Sequence, residues 1–99
     1  ARCIALPGTA TAICEDYRAS ATTDLVHDRA DRLAGNSIRA PLRVLWGSQG
    51  AVGRCFDVLP LWQSVATDVS GRSLDCGHYI AEESPEALLE EMVAFFQTH

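Results

Sequence analysis

Ser73-Leu74-Asp75-Cys76-Gly77-His78-Tyr79-Ile80-Ala81-Glu82-Glu83-Ser84-Pro85-Glu86 is the stretch on which the reading of this chain turns. It sets a histidine just past a short strand and just before a helix. Gly77 lets the chain bend sharply there, and histidine is the side chain whose charge changes near neutral pH, which suits it to proton transfer. In open α/β sheets, ligands bind beyond the carboxyl ends of the strands, and His78 follows such an end directly.

The helix that follows is strongly specified. Ser84 is placed to cap it, Pro85 occupies its first turn, Glu86 favours the positive helix end, and Leu88, Leu89, Met92, Val93, Phe95 and Phe96 supply a broad apolar face. Upstream, Pro41 opens the apolar run Leu42-Arg43-Val44-Leu45-Trp46-Gly47, bounded by Pro and Gly like a strand inside a parallel sheet. A glycine-rich loop over residues 48–53, a helix over residues 56–66 with Pro60 near its first turn, and a second strand over residues 72–74 complete the segment. The order strand, loop, helix, strand, helix predicts parallel strands with right-handed crossovers. Two strands alone are marginal and cannot cover helices on both faces, so further strands are expected outside this segment.

The first 40 residues read differently. Residues 8–21 predict a weakly amphipathic helix capped by Thr9, with Ala10, Ala12, Ile13, Tyr17 and Ala21 on one side and Glu15, Asp16 and Arg18 on the other. A second helix over residues 23–33 starts at a Thr-Asp cap, carries Leu25, Val26, Ala30 and Leu33, and stops at Gly35-Asn36, a common left-handed ending.

With 99 residues, the chain is one small domain or a piece of a larger one. Its 47% hydrophobic and 21% charged content suits a soluble globular chain, and no apolar run approaches the roughly 20 residues of a membrane span. The start, Arg2-Cys3-Ile4-Ala5-Leu6-Pro7, lacks the long apolar core of a signal peptide and reads as an excision point. A net charge of −5 with no basic cluster argues against nucleic-acid or anionic-membrane partners. All eight basic residues are arginine, so each can grip a carboxylate with a two-pronged fork. Cys3, Cys14, Cys55 and Cys76 form neither a C-x-x-C pair nor a zinc spacing, which points to buried free thiols in a reducing, cytoplasmic setting.

Several other arrangements offer chemistry on paper. Trp46-Gly47-Ser48-Gln49-Gly50 is not G-x-S-x-G, because a tryptophan holds the first glycine position, so Ser48 is a poor nucleophile candidate. Gly47, Gly50 and Gly53 have the wrong spacing for a dinucleotide or phosphate loop and lack the phosphate-loop lysine. Cys76 and His78 would share a side if the strand persisted, making a Cys-His pair conceivable. His27 and Asp31 stand one helical turn apart and could share a metal, but a solvated, salt-bridged face is far commoner for such a pair.

Residues 41–47, the run Asp75 to Glu86, and the Phe95-Phe96 ending resemble the last two strands and helices of the α/β-hydrolase fold. Cys14-Glu15-Asp16-Tyr17-Arg18-Ala19, His27-Asp28-Arg29-Ala30-Asp31, Leu45-Trp46-Gly47 with Val52-Gly53, and Cys55-Phe56-Asp57 are similar to the haloacetate (fluoroacetate) dehalogenases within that fold. The resemblance implies a C-terminal fragment of an α/β-hydrolase fold, with residues 1–40 the end of a helical cap and 41–99 the end of the core.

It also implies a mechanism without cofactors. An aspartate displaces halide to form an ester, and a histidine activates the water that hydrolyses it. His78 corresponds to that histidine. Tyr17 corresponds to the cap tyrosine whose hydroxyl holds the departing halide, although on the residues alone it reads first as a packing aromatic of the cap. Loop 47–53 holds no carboxylate, and Gly50 stands where many α/β-hydrolases carry the triad acid. The acid, the nucleophile and the substrate-binding arginines are then expected upstream, leaving this chain with an incomplete site. Alternatives are a piece of an epoxide hydrolase or haloalkane dehalogenase, or a noncatalytic module. Expected partners are a small haloacid, and either the upstream part of such a hydrolase or a second copy of the chain.

Overall fold

The computed structural model describes residues 2–99, which divide by contact into two compact units with the boundary between Asn36 and Ser37.

The first unit is a pair of helices, α1 (Thr9–Ser20) and α2 (Thr23–Leu33). Both match the sequence expectation in position, but neither is capped as expected. The α1 N-cap is Gly8 at φ 82°, and the Thr9 hydroxyl donates backwards to the Cys3 carbonyl at 3.2 Å. At α2 the N-cap is Thr22, whose hydroxyl donates to the Arg18 carbonyl at 2.8 Å, so it closes the preceding helix instead of opening the next. Short hydroxyl side chains offered two backbone targets take the one the local turn presents. The C-terminus of α2 follows its sequence closely: Gly35 at φ 73° lets its own N–H reach the Arg32 carbonyl and that of Asn36 reach Asp31. This is the paired-bond left-handed ending for which glycine is suited. No residue of either helix is buried.

The second unit is organised by two parallel strands, β1 (Leu42–Gly47) and β2 (Val69–Leu74), in register from Leu42 opposite Val69 to Gly47 opposite Leu74. β1 has the predicted bounds. β2 begins three residues earlier than its expected start at Arg72, because Gly71, which in isolation reads as a breaker, lies against β1 so closely that a Cβ there would stand 2.3 Å from the Val44 carbonyl oxygen. Glycine inside a strand commonly marks such an approach of backbones.

Between the strands, the loop expected over residues 48–53 gives way after Gly50 to a short helix, α3 (Ala51–Cys55). It packs its Gly53 under the strand end, where a Cβ would meet the Gly47 carbonyl oxygen at 2.8 Å. The following helix α4 (Val58–Gln63) is shorter than predicted at both ends. Its Pro60 sits in the first turn, where a missing N–H costs no intrahelical bond. Beyond Gln63 the chain leaves the helix so that Ala66 can bridge Ile38, with the Ile38 N–H donating to the Val65 carbonyl and the Thr67 N–H to that of Ile38.

After β2 come a single turn of helix, α5 (Ile80–Glu83), which the sequence reading did not separate, and the terminal helix α6 (Pro85–Thr98). Ser84 is the α6 N-cap as expected, but its side chain makes no capping bond; the Leu88 N–H donates to its carbonyl instead. Glu91 ties α6 to both strands. Its carboxylate accepts from Arg43 of β1 at 2.9 Å and pairs with Arg72 of β2.

Val58, Ala66, Leu74 and Cys76 form the buried apolar core, which is small for a unit of this size. Leu89, Met92, Val93 and Phe96 of α6 remain exposed and line an open groove of about 370 Å³. Among the described residues, no helix is long and apolar enough to cross a membrane.

Candidate active site

Leu74 ends β2 and Ile80 starts α5, so residues 75–79 form a five-residue turn with His78 near its crest. That turn lies across the end of β1 and is fastened there from both sides. From the β1 side, the Ser48 N–H donates to the Leu74 carbonyl at 2.9 Å and the Gln49 N–H to the Cys76 carbonyl at 3.0 Å. The Gln49 side-chain amide also donates to Asp75 at 2.7 Å.

Two glycines make this approach possible. A Cβ on Gly47 would stand 1.9 Å from the Gly77 carbonyl oxygen, and one on Gly50 would be 3.2 Å from the His78 nitrogen. The glycines at 47 and 50 therefore serve backbone contact with the histidine turn. Both are buried.

From the other side the turn is held by Glu83, which the sequence alone does not single out. One carboxylate oxygen accepts the Gly77 N–H and the other accepts the Tyr79 N–H, both at 3.0 Å. These are the amides on either side of His78. A carboxylate that reaches back over the start of its own helix to bind an amide acts like the glutamate of a capping box, here one position later.

The His78 imidazole is thereby presented outward on a backbone fixed at three points. It is exposed, stacks edge-to-face with Tyr79 at 5.2 Å, and has no hydrogen-bond partner among the described residues. This leaves both ring nitrogens available to other groups.

Tyr17 is in α1 of the first unit and 74% exposed. Cys76 is buried in the core while His78 faces solvent, so the condition for a Cys-His pair, a strand continuing past Leu74, is not met. Cys3, Cys14 and Cys55 are exposed free thiols, which corrects the expectation that all four are buried. Asp31 accepts from the Asn36 side chain at 3.0 Å, an ending bond for α2. No group of three or more potential metal ligands occurs among the described residues.

Comparison with known proteins finds no matching family model. The chain is 32% identical over 93 residues to the soluble epoxide hydrolase of Corynebacterium sp. (strain C12), a match covering 92% of this chain and 30% of that enzyme. Among solved structures it resembles a proposed acyltransferase from Salmonella enterica, at 43% identity and TM-score 0.88 over 94% of this chain and 30% of that one. A proposed α/β-hydrolase from Nostoc sp. PCC 7120 is 49% identical with TM-score 0.79, over 84% and 28% of the two chains. A proposed epoxide hydrolase from Pseudomonas aeruginosa is 34% identical with TM-score 0.85, over 94% and 31%. The chain thus spans about 30% of the length of the Corynebacterium enzyme.

Proposed function

From a chain that carries the C-terminal part of an α/β-hydrolase fold, we propose that His78 is the water-activating base of a hydrolase working through an enzyme-bound ester. The observation that carries this is the backbone of His78, pinned beyond the ends of two parallel strands with its ring free to reach a water and an ester. An aspartate supplied by the upstream part of such a fold attacks the substrate carbon, and the bond to the leaving group breaks. His78 then takes a proton from water as the water adds to the ester carbonyl. Collapse releases the product alcohol and returns the aspartate carboxylate.

For the substrate we favour haloacetates, with fluoride or another halide leaving and glycolate as product. The resemblance of the Tyr17, Trp46-Gly47 and His78 segments to haloacetate dehalogenases supports this choice, and in it Tyr17 donates its phenol to the departing halide. Epoxide opening is the second reading. The likeness to the Corynebacterium epoxide hydrolase favours it, and it needs the same histidine step, with ring opening in place of halide departure. The partner we assign to the exposed α6 face and the open strand edges is the upstream portion of the same fold, which would cover Leu89, Met92, Val93 and Phe96.

The test is to express the complete gene product with His78→Asn and supply fluoroacetate or styrene oxide. Intact-protein mass spectrometry should find an ester that the wild type does not accumulate. An adduct from fluoroacetate supports the haloacetate reading, and one from the epoxide alone supports the second. Undiminished turnover with no adduct would remove His78 from the chemistry.

A further inference from the structure

Glu83 lies outside the proposed chemical steps, yet its carboxylate accepts from the backbone N–H groups of Gly77 and Tyr79, the residues before and after His78. A helix terminus needs at most its own first-turn amides satisfied; a bond to Gly77, three residues before α5 begins, is not explained by capping that helix. Gly77 itself is shaped for the contact, since a Cβ there would be 2.8 and 2.9 Å from the two carboxylate oxygens. A carboxylate accepts more strongly than a neutral oxygen, and two bonds to one carboxylate fix orientation as well as distance. No other side chain among the described residues bonds this backbone between residues 77 and 79.

We propose that Glu83 is a positioning residue for His78: it sets the direction of the imidazole by clamping the two amides that flank it, and it touches neither substrate nor the transferred proton. The inference rests on His78 being the base of the ester-hydrolysis step. That step should then depend on Glu83, while formation of the ester, which does not use the histidine, should not. Misplacing a catalytic group by about 1 Å can cost on the order of 100-fold in rate.

In the complete gene product, Glu83→Ala is expected to slow hydrolysis of the ester by about 10-fold to 100-fold and to let ester accumulate from fluoroacetate or styrene oxide. The single-turnover rate of ester formation should stay at the wild-type value. Gly77→Ala, which keeps the carboxylate but forces the clamp apart, should give the same pattern, and combining the two should cost little more than either alone. Glu83→Gln, with a single acceptor oxygen, should fall between Glu83→Ala and the wild type. Amide exchange at Gly77 and Tyr79 provides the readout independent of activity: both should exchange faster in Glu83→Ala.

Equal slowing of both chemical steps would mean that Glu83 merely stabilises the fold, and unchanged ester hydrolysis would mean that the clamp has no catalytic consequence. Either overturns the proposal while leaving His78 in place. Absence of ester in His78→Asn with both substrates would remove the parent reading and this one with it, whatever the exchange data show.

Discussion

The backbone of Gly77 rests directly on Gly47: a Cβ on Gly47 would stand 1.9 Å from the Gly77 carbonyl oxygen and 2.6 Å from that of Cys76. Neither carbonyl can retreat easily, because the Cys76 oxygen already accepts from Gln49 and the Gly77 amide is held by Glu83. Gly47→Ala should therefore move the whole histidine turn. Overpacking of this kind costs about 1–3 kcal/mol and occasionally more. The urea midpoint should drop accordingly without a change in slope, and any activity of the complete gene product should fall further than stability alone explains. A midpoint equal to the wild type would show that the turn yields freely.

Glu91 offers a pH-dependent test of how α6 is held to the sheet. Hydrogen bonds from Arg72 and then Arg43 keep its carboxyl below the ordinary glutamate value of 4.5, outweighing the opposing effect of burial. A carboxylate whose folded value is depressed stabilises the fold above its unfolded value, and that stability is lost as pH falls through the folded one. Denaturant midpoints should thus be flat near neutrality and decline below about pH 4.5. Glu91→Gln should lower the neutral-pH midpoint and flatten the acid decline. A variant with the wild-type acid slope would assign that slope to other carboxylates.

How much of this was legible beforehand depends on the range of the forces concerned. Helices α1, α2 and α6 and strand β1 were readable because their signals are local: an apolar period, Pro85 in a first turn, Gly35 at an ending, Pro41 and Gly47 around an apolar run. The early start of β2 and the helix within loop 48–53 were not, because Gly71 and Gly53 look like breakers until the backbone of β1 is seen beside them. The expected caps at Thr9 and at Thr23-Asp24 differ for a related reason, since the N-caps fall one residue earlier, at Gly8 and Thr22, and the Thr9 and Thr22 hydroxyls donate to preceding carbonyls that the turns bring within reach. His78 could be singled out from its place after a strand. The clamp on it could not, because Glu83 sits in a run of acidic residues and only the fold of the turn chooses it over Glu82.

The four cysteines separate cleanly by environment. Cys3, Cys14 and Cys55 are exposed, whereas Cys76 lies in the small core with Val58, Ala66 and Leu74. Thiol reagents need access to the sulfur, so a chromogenic disulfide reagent should titrate three thiols rapidly and the fourth only at the rate at which the sheet opens. Denaturant should bring the fourth into the fast phase. Four fast thiols under native conditions would mean that the Cys76 turn is not closed in solution.

Gly35 isolates backbone strain from crowding, the opposite case to Gly47. Its φ of 73° lies in the left-handed region, and a Cβ there would meet nothing within 4 Å. The whole effect of Gly35→Ala should then be conformational, about 1 kcal/mol of destabilisation. Gly35→Asn should cost less, because asparagine tolerates this backbone better than alanine does. The loss should be confined to the end of α2, where the Gly35 and Asn36 amides bond Arg32 and Asp31, and should appear as faster exchange of those two amides. If alanine and asparagine prove equally harmless, the paired-bond ending does not persist in solution, and α2 stops for want of apolar partners after Leu33, a side chain that is 90% exposed.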